Sequence, residues 1–183
     1  MKKLSRAARI LAAAGLTLGL LGLAAPAHAE KYSIDDPADA SGSLNDIYGL
    51  TYNHGEENLR FVIRVADLRR VSNAGASLYL DTKPNNKGPE YVLGTGLSSG
   101  TDYALFRVDG WKDKGSGDPK NCDYQLRLRY KLDKVVGTIS RDCLKNPATV
   151  AAAVKMGDFN DASHPIHDWA PAKRQFGLAV AAG

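Results

Sequence analysis

Apolar and polar side chains alternate along much of this chain with a period of two. The clearest example is the segment Leu59–Val65, in which every second side chain is apolar and Arg60 and Arg64 lie between them. This alternation is typical of a strand with one buried face. Asp46–Asn53 alternates in the same way, and the polar residues 54–58 between the two segments favour a turn. Together they predict a β-hairpin.

Three more short apolar segments follow: Ser77–Asp81, Glu90–Gly94 and Asp102–Val108. The loops between them are rich in Gly, Pro, Asn and Ser, which predicts an antiparallel meander. Ala148–Val154 is Ala-rich, but the preceding proline and its β-branched residues favour a strand over a helix. No window of the sequence after residue 29 sustains a helical period beyond about two turns.

The remaining segments complete an all-β prediction. Residues 30–45 are expected to form a leading loop or an edge segment, residues 158–171 a loop, and residues 175–182 a last short strand. Short strands with turn signals every 8–12 residues are typical of a sandwich. We therefore predict an antiparallel β-sandwich of about eight or nine strands.

The two cysteines, Cys122 and Cys143, flank a second predicted hairpin. A turn at residues 132–133 would place Tyr130 opposite Val135 and Cys122 opposite Cys143, and a four-residue loop with the same centre gives the same pairing. Directly opposed residues have Cα atoms about 4.5–5.5 Å apart, within the disulfide range. This register predicts a structural Cys122–Cys143 disulfide, with two free buried thiols as the alternative.

The first 29 residues have the pattern of an export signal. Basic residues within the first nine positions precede the apolar segment Ile10–Leu23, and Ala27-His28-Ala29 supplies a small-x-small cleavage pattern. We predict a secretory signal peptide over residues 1–29, with cleavage before Glu30, and a single β-sandwich domain over residues 30–183. The protein is then secreted and extracellular, in a compartment where disulfides form.

Removal of this leader changes the charge of the protein. Four of the 24 Lys and Arg residues and none of the 20 Asp and Glu residues lie in residues 1–29, which leaves 20 of each. The pI of about 9.0 therefore belongs mainly to the leader. Without an excess of basic residues, we expect neither a nucleic-acid partner nor a membrane partner after cleavage.

Carboxylates and histidines are the candidates for metal chemistry. Asp39 and Asp46 precede or begin the first long strand, and Asp81 and Glu90 lie at strand ends of the meander, where loops of one rim could converge on structural calcium. The alternative is that these acids cap turns. His164 and His167 have the composition of a zinc site, but no third strong ligand lies near them in the sequence, so a polar loop is the simpler interpretation. A further alternative is that two of these acids form the catalytic pair of a glycoside hydrolase.

Two tryptophans are the candidates for ligand binding. Trp111 and Trp169 both lie in segments predicted as loops. Exposed aromatic side chains on a secreted sandwich would suit the stacking of sugar rings. The alternative is that these side chains pack in the core or at its rim.

Four segments carry a resemblance to known proteins, and they are Asp39-x-x-Gly42-x-Leu44-x-Asp46-Ile47, Phe61–Arg69, Leu78–Thr82 and Gly88–Tyr91. The chain resembles small secreted actinobacterial β-sandwich proteins of uncharacterised function, over most of residues 35–169. More distantly, it is similar to family 9 carbohydrate-binding modules and DOMON-type domains, a likeness that implies the sandwich fold. It lacks the tryptophan that usually follows the first aspartate of those domains, and no sugar-stacking residues or haem ligands can be matched to it.

These observations predict a secreted, monomeric, non-catalytic binding module. Its expected partner is a polysaccharide, or else another secreted protein. The alternatives are a protein-interaction or inhibitor module and a carboxylate-dependent hydrolase. A groove flanked by exposed aromatic residues would favour glycan binding, and a flat apolar patch would favour a protein partner.

Overall fold

The computed structural model describes residues 30–113, 115 and 117–183, so the predicted signal peptide lies outside the described residues. The described chain forms eleven β-strands and two short 3-10 helices, Tyr130–Leu132 and Arg141–Leu144, and no α-helix. Within it, no helix is long and apolar enough to cross a membrane. The strands are β1 (Glu30–Asp35), β2 (Ile47–His54), β3 (Asn58–Val65), β4 (Ala74–Asp81), β5 (Tyr91–Gly96), β6 (Tyr103–Arg107), β7 (Tyr124–Arg129), β8 (Lys134–Ser140), β9 (Thr149–Asp158), β10 (Ile166–Ala170) and β11 (Val180–Ala181).

Two antiparallel sheets pack face to face. The five-stranded sheet has the order β1-β2-β3-β8-β7, and the six-stranded sheet has the order β10-β9-β4-β5-β6, with β11 also paired to β9. The predicted antiparallel sandwich is confirmed, with eleven strands rather than eight or nine. The predicted hairpin is β2–β3, the meander is β4–β5–β6, and the Ala-rich segment forms the first part of β9.

Alternating apolar side chains from both sheets form one core. Every second residue of β3 is buried, from Leu59 to Val65, and faces residues such as Leu78 and Leu80 of β4. The alanines of β9, among them Ala152, leave room for these larger side chains, because neighbouring large and small residues interdigitate at native density. Because alternate residues of each strand face this one core, the alternation in the sequence predicts the strands well.

A β-bulge interrupts the pairing of β2 with β3 between Ile47 and Gly49. The extra residue turns Tyr48 towards solvent, while Leu50 and Tyr52 stay in the core. The side chain that alternation alone would bury is therefore exposed, and the backbone N–H of Ile47 at the start of β2 donates a hydrogen bond to Asp168 of β10.

The hairpin of the two cysteines forms, but the predicted register is wrong by two residues. Leu128 pairs with Val135 and Leu126 pairs with Gly137. The reason is the turn: residues 130–132 form a 3-10 helix and Asp133 is left-handed, with φ 51° and ψ 48°, so the loop centre moves one residue towards β7. A shift of two keeps every side chain on its predicted face.

The disulfide between Cys122 and Cys143 is confirmed, with a Cα–Cα distance of 5.7 Å. Neither cysteine belongs to β7 or β8. Cys143 lies in the second 3-10 helix, Arg141–Leu144, which folds back across the end of the hairpin and compensates for the change in register.

The segment predicted as a loop before Pro171 contains a strand. β10 pairs with the second half of β9, and β11 pairs with its first two residues. Both occupy the edge of β9 that β4 leaves free, so β9 is paired on both sides over Val154–Asp158.

Candidate functional site

The outer face of the six-stranded sheet carries a groove about 310 Å³ in volume. Its floor consists of outward positions that have small side chains or none. Gly75, Ser77 and Gly157 on two neighbouring strands line it, and Gly94 of β5 continues it beside Ser77. Glycine in the interior of a strand often marks a place where a ligand approaches the backbone closely.

Aromatic and cationic side chains form the walls of this groove. Tyr79 and Phe106 flank it on one side, and Phe159, which is 45% exposed, lies at the other. Lys155 projects from β9 towards the Trp169 ring, with 5.8 Å from its Nζ atom to the ring centroid. The lining offers flat apolar faces for stacking beside polar groups for hydrogen bonds, which is typical of a small-molecule site.

The packing of the sheet does not require a glycine at position 94 on the groove floor. A Cβ atom built at this position meets no atom within 4 Å, and the backbone there is not left-handed. A larger side chain would fit the strand and would project into the groove. The sheet itself therefore tolerates a larger residue, and the space above it stays open.

Trp111 and Trp169 come together on the same outer face, next to the groove. Their ring centroids are 5.8 Å apart, and the Trp169 ring stacks on Tyr79 at 5.6 Å. Trp111 also stacks on Phe176 at 4.5 Å. Both tryptophans are half-buried and form a small second core that covers one end of the sheet face. They support the groove wall through Tyr79, and direct contact of either with a ligand stays a prediction.

The four carboxylates predicted to share calcium lie in two separate groups. Asp81 and Glu90 lie at the end where β4 stops, and Asp39 and Asp46 lie near Asp168 on β10, towards the end where β4 begins. Asp168 pairs with Met156, which is opposite Ala76, five residues before Asp81. Five residues of strand span roughly 17 Å. One ion cannot bridge both groups.

Glu90 is already used within its own loop. One carboxylate oxygen accepts hydrogen bonds from the Thr82 backbone N–H at 2.8 Å and the Thr82 hydroxyl at 3.2 Å, and the other accepts one from Asn86 at 3.0 Å. These bonds close the loop between β4 and β5. Burial, together with the Glu90 charge, raises the pKa of Asp81, although a hydrogen bond from the Lys83 backbone lowers it.

Among the described residues, the second acidic group brings three possible cation ligands together. One oxygen each from Asp36, Asp39 and Asp168 lies within 4.8 Å of the others. Asp168 already accepts bonds of 2.6 Å from the backbone N–H groups of Ile47 and Trp169. Asp46 accepts one from Ala40 at 2.9 Å. Calcium in this group stays a prediction.

Asp36 has the largest shift within this acidic group. Burial, which has the largest effect, and the negative charges of Asp168, Asp39 and Asp46 together raise its pKa to about 7. One of its oxygens is buried without a hydrogen-bond partner among the described residues. The folded chain therefore holds a proton on Asp36 more tightly than the unfolded chain does.

This difference predicts that stability falls as the pH rises. Asp36 ionises near pH 4 when unfolded and near 7 when folded, so the free energy of unfolding decreases between these values. Because the carboxyl is partly exposed, solvent screening reduces the effect to about 1–2 kcal/mol. Asp36→Asn should flatten this decline and be more stable than the wild type at pH 7.5. Urea denaturation in EDTA at several pH values measures the free energy of unfolding of both proteins. The prediction would be contradicted if this free energy changed with pH equally in the wild type and in Asp36→Asn.

The same two proteins test whether the acidic group binds calcium. If the acidic group holds calcium, calcium chloride at pH 7.5 should raise the unfolding midpoint of the wild type and leave Asp36→Asn nearly unchanged. An equal response of both proteins would place the bound calcium elsewhere.

A third polar cluster is centred on Asp158, at the end of β9. Its carboxylate accepts hydrogen bonds from Ser43 at 2.7 Å and Asn45 at 3.2 Å, and from both the backbone and side chain of Asn160 at 3.0 and 2.7 Å. The cluster borders a rim pocket of about 430 Å³. It fastens the loop before β2 to the six-stranded sheet.

The two histidines of the predicted zinc alternative do not act together. His164 is exposed and contacts Asp161 at 3.1 Å, while the ring of His167 lies against Phe159 at 5.7 Å. Burial and the nearby Lys155 charge lower the pKa of His167. In the described part of the chain, neither histidine belongs to a group of metal ligands.

Comparisons of the chain with protein-family models, with curated proteins and with solved structures each gave no match.

Proposed function

We propose that this protein is a secreted, non-catalytic module that binds a glycan chain in the groove on the outer face of the six-stranded sheet. The observation that supports it most is the open floor at Gly94, between aromatic walls. Sugar rings have flat C–H faces that stack on aromatic side chains, and their hydroxyls hydrogen-bond to nearby polar groups. The exposed ring of Phe159 and the partly buried ring of Phe106 offer such faces.

Polar groups in the groove suit a neutral, hydroxyl-rich ligand. Ser77 offers a hydroxyl on the floor, and Lys155 offers ammonium donors beside it. Most of the described residues that line the groove are small, aromatic or cationic, and Val92 and Thr95 complete the lining. They provide stacking and hydrogen bonding, the two kinds of contact that glycan recognition needs.

Gly94→Val should weaken glycan binding strongly and keep the fold. The valine side chain would occupy the groove floor, where a Cβ meets no protein atom, and a β-branched residue suits a strand. We expect affinity to fall about tenfold or more, with the unfolding midpoint unchanged or raised. A glycan array and polysaccharide pull-downs with the purified protein, with and without EDTA, measure binding.

Gly117→Val is the matched control, because a Cβ there also meets open space and the residue lies outside the groove. Phe159→Ala removes an exposed wall and should weaken binding without loss of stability. Binding to no glycan in either condition would contradict the proposal. Equal binding by Gly94→Val and the wild type would exclude the groove as the site.

A further inference from the structure

The outer face of the five-stranded sheet is strongly basic. Outward positions there alternate with the buried core residues of the same strands, and the registers bring them into rows. Arg60 lies opposite Thr138, which lies opposite Gln125; Arg64 lies opposite Lys134, which lies opposite Arg129. Six cations face outward with one acid, and these are Lys31, Arg60, Arg64, Arg127, Arg129, Lys134 and Asp35.

This concentration of charge is not a consequence of net charge. Residues 30–183 contain 20 basic and 20 acidic residues, so the basic face is balanced by acidic groups elsewhere. Within the described residues, Arg64 pairs with Asp35, whereas Arg60, Arg127 and Arg129 form no ion pair. All three are exposed. Unpaired guanidinium groups concentrated on one face attract anions.

The basic face also has a shallow apolar depression about 430 Å³ in volume. Val62 and Val136 lie opposite each other on its floor. Arg60 borders it on one side and Arg129 on the other, and Arg127 lies beside Val136. A ligand seated there would contact valine methyl groups below and guanidinium groups on both sides.

We propose that this depression binds an anionic polysaccharide. A single sugar chain can lay apolar C–H faces on the two valines while its carboxylates or sulfates pair with the flanking arginines, whose planar guanidinium groups suit such anions. A nucleic-acid duplex offers hydrated phosphates and no apolar face to this floor. Single-stranded nucleic acid would need aromatic side chains for base stacking, and the rows contain none. This surface is independent of the proposed glycan groove on the other sheet.

Heparin, a sulfated uronate polysaccharide, is the probe that tests the proposal. We expect the purified protein to bind heparin at low salt and to lose affinity for heparin as the salt concentration increases. Neutral dextran should not compete with heparin for this face. Arg127→Gln with Arg129→Gln should weaken heparin binding roughly tenfold, because the double variant removes two solvent-exposed ion pairs with the anionic groups of the ligand. The matched control, Arg107→Gln with Arg174→Gln, removes two exposed guanidinium groups from other parts of the chain and should bind as the wild type does.

Three outcomes would overturn the proposal. The first is no binding to heparin at low salt. The second is equal weakening by the control pair, which would indicate a response to overall charge alone. The third is tighter binding to duplex DNA than to heparin under the same conditions. Gly94→Val should bind heparin normally, so failure of the glycan groove and failure of this basic face are distinguishable.

Discussion

Loss of the Cys122–Cys143 disulfide is expected to lower the free energy of unfolding by about 3 kcal/mol. The bond joins residues separated by 21 positions, and the closure of a loop of this length removes entropy from the unfolded chain. For a domain of about 150 residues this corresponds to a decrease of roughly 6–12 °C in the unfolding midpoint. Cys122→Ala with Cys143→Ala, studied by urea denaturation, measures the effect.

Reduction of the wild type separates the cross-link from the packing. Cys143 is 1% exposed, so its replacement by alanine also removes a buried sulfur, whereas a reductant breaks the bond and keeps both sulfur atoms. Reduced wild-type protein should lose most of the stability that the double variant loses, and the double variant should not respond to the reductant. A wild type equally stable before and after complete reduction would contradict the prediction.

The hairpin shows how far side-chain alternation determines a fold. Alternation fixes which face each residue of β7 and β8 occupies, because only one face can be buried. It does not fix the register, since a shift of two residues keeps all of the faces. The 3-10 turn and the left-handed Asp133 decide between these registers. No strong turn signal such as Asn-Gly is present to predict them.

β10 was missed for a related reason. Ile166, Asp168 and Ala170 face inward, but the central one of these is a carboxylate, so the segment lacks apolar alternation. Asp168 is tolerated because the backbone N–H of Ile47 donates to it across 121 positions of sequence. A polar contact so distant in sequence leaves no local pattern. The bulge at Tyr48 belongs to the same region and was missed with it.

The candidate site was only partly predictable. Trp111 and Trp169 were identified as aromatic candidates, and they do lie together on one face. The groove beside them depends on glycines from three strands, Gly75, Gly94 and Gly157, whose alignment needs the full pairing of the sheet. Glycines at the outward positions of strands were the signal available in the sequence. The sequence alone does not show which carboxylates lie close together, because their spacing depends on how the fold arranges the loops that carry them.

Replacement of Asp158 by alanine is expected to cost about 3–4 kcal/mol. Asp158 is 7% exposed, and its carboxylate accepts hydrogen bonds from Ser43, Asn45 and Asn160. Alanine leaves the buried Asn45 amide without an acceptor and releases the loop before β2 from the end of β9, and unmade bonds to a buried charge are costly. Asp158→Asn, which keeps the shape but not the charge, should fall between the wild type and alanine.

The pH dependence distinguishes a charged hydrogen-bond acceptor from simple packing. Although burial opposes it, hydrogen bonds from Asn160, Ser43 and Asn45 lower the pKa of Asp158. A carboxyl with a lowered folded pKa stabilises the fold above its unfolded pKa, about 4, and this contribution is lost as the pH falls through the folded value. The difference in stability between the wild type and Asp158→Ala should therefore be constant at neutral pH and narrow below about pH 4.

Asp161→Ala is the control, because this nearby carboxylate is exposed and its hydrogen-bond partners among the described residues are Ser163 and His164 of its own turn. We expect it to change stability little. If Asp158→Ala were no less stable than Asp161→Ala, or if its deficit persisted undiminished at pH 2, the Asp158 carboxylate would not be what fastens the loop to the sheet. The expected result is the opposite: one buried charge with four hydrogen bonds joins segments more than 110 residues apart.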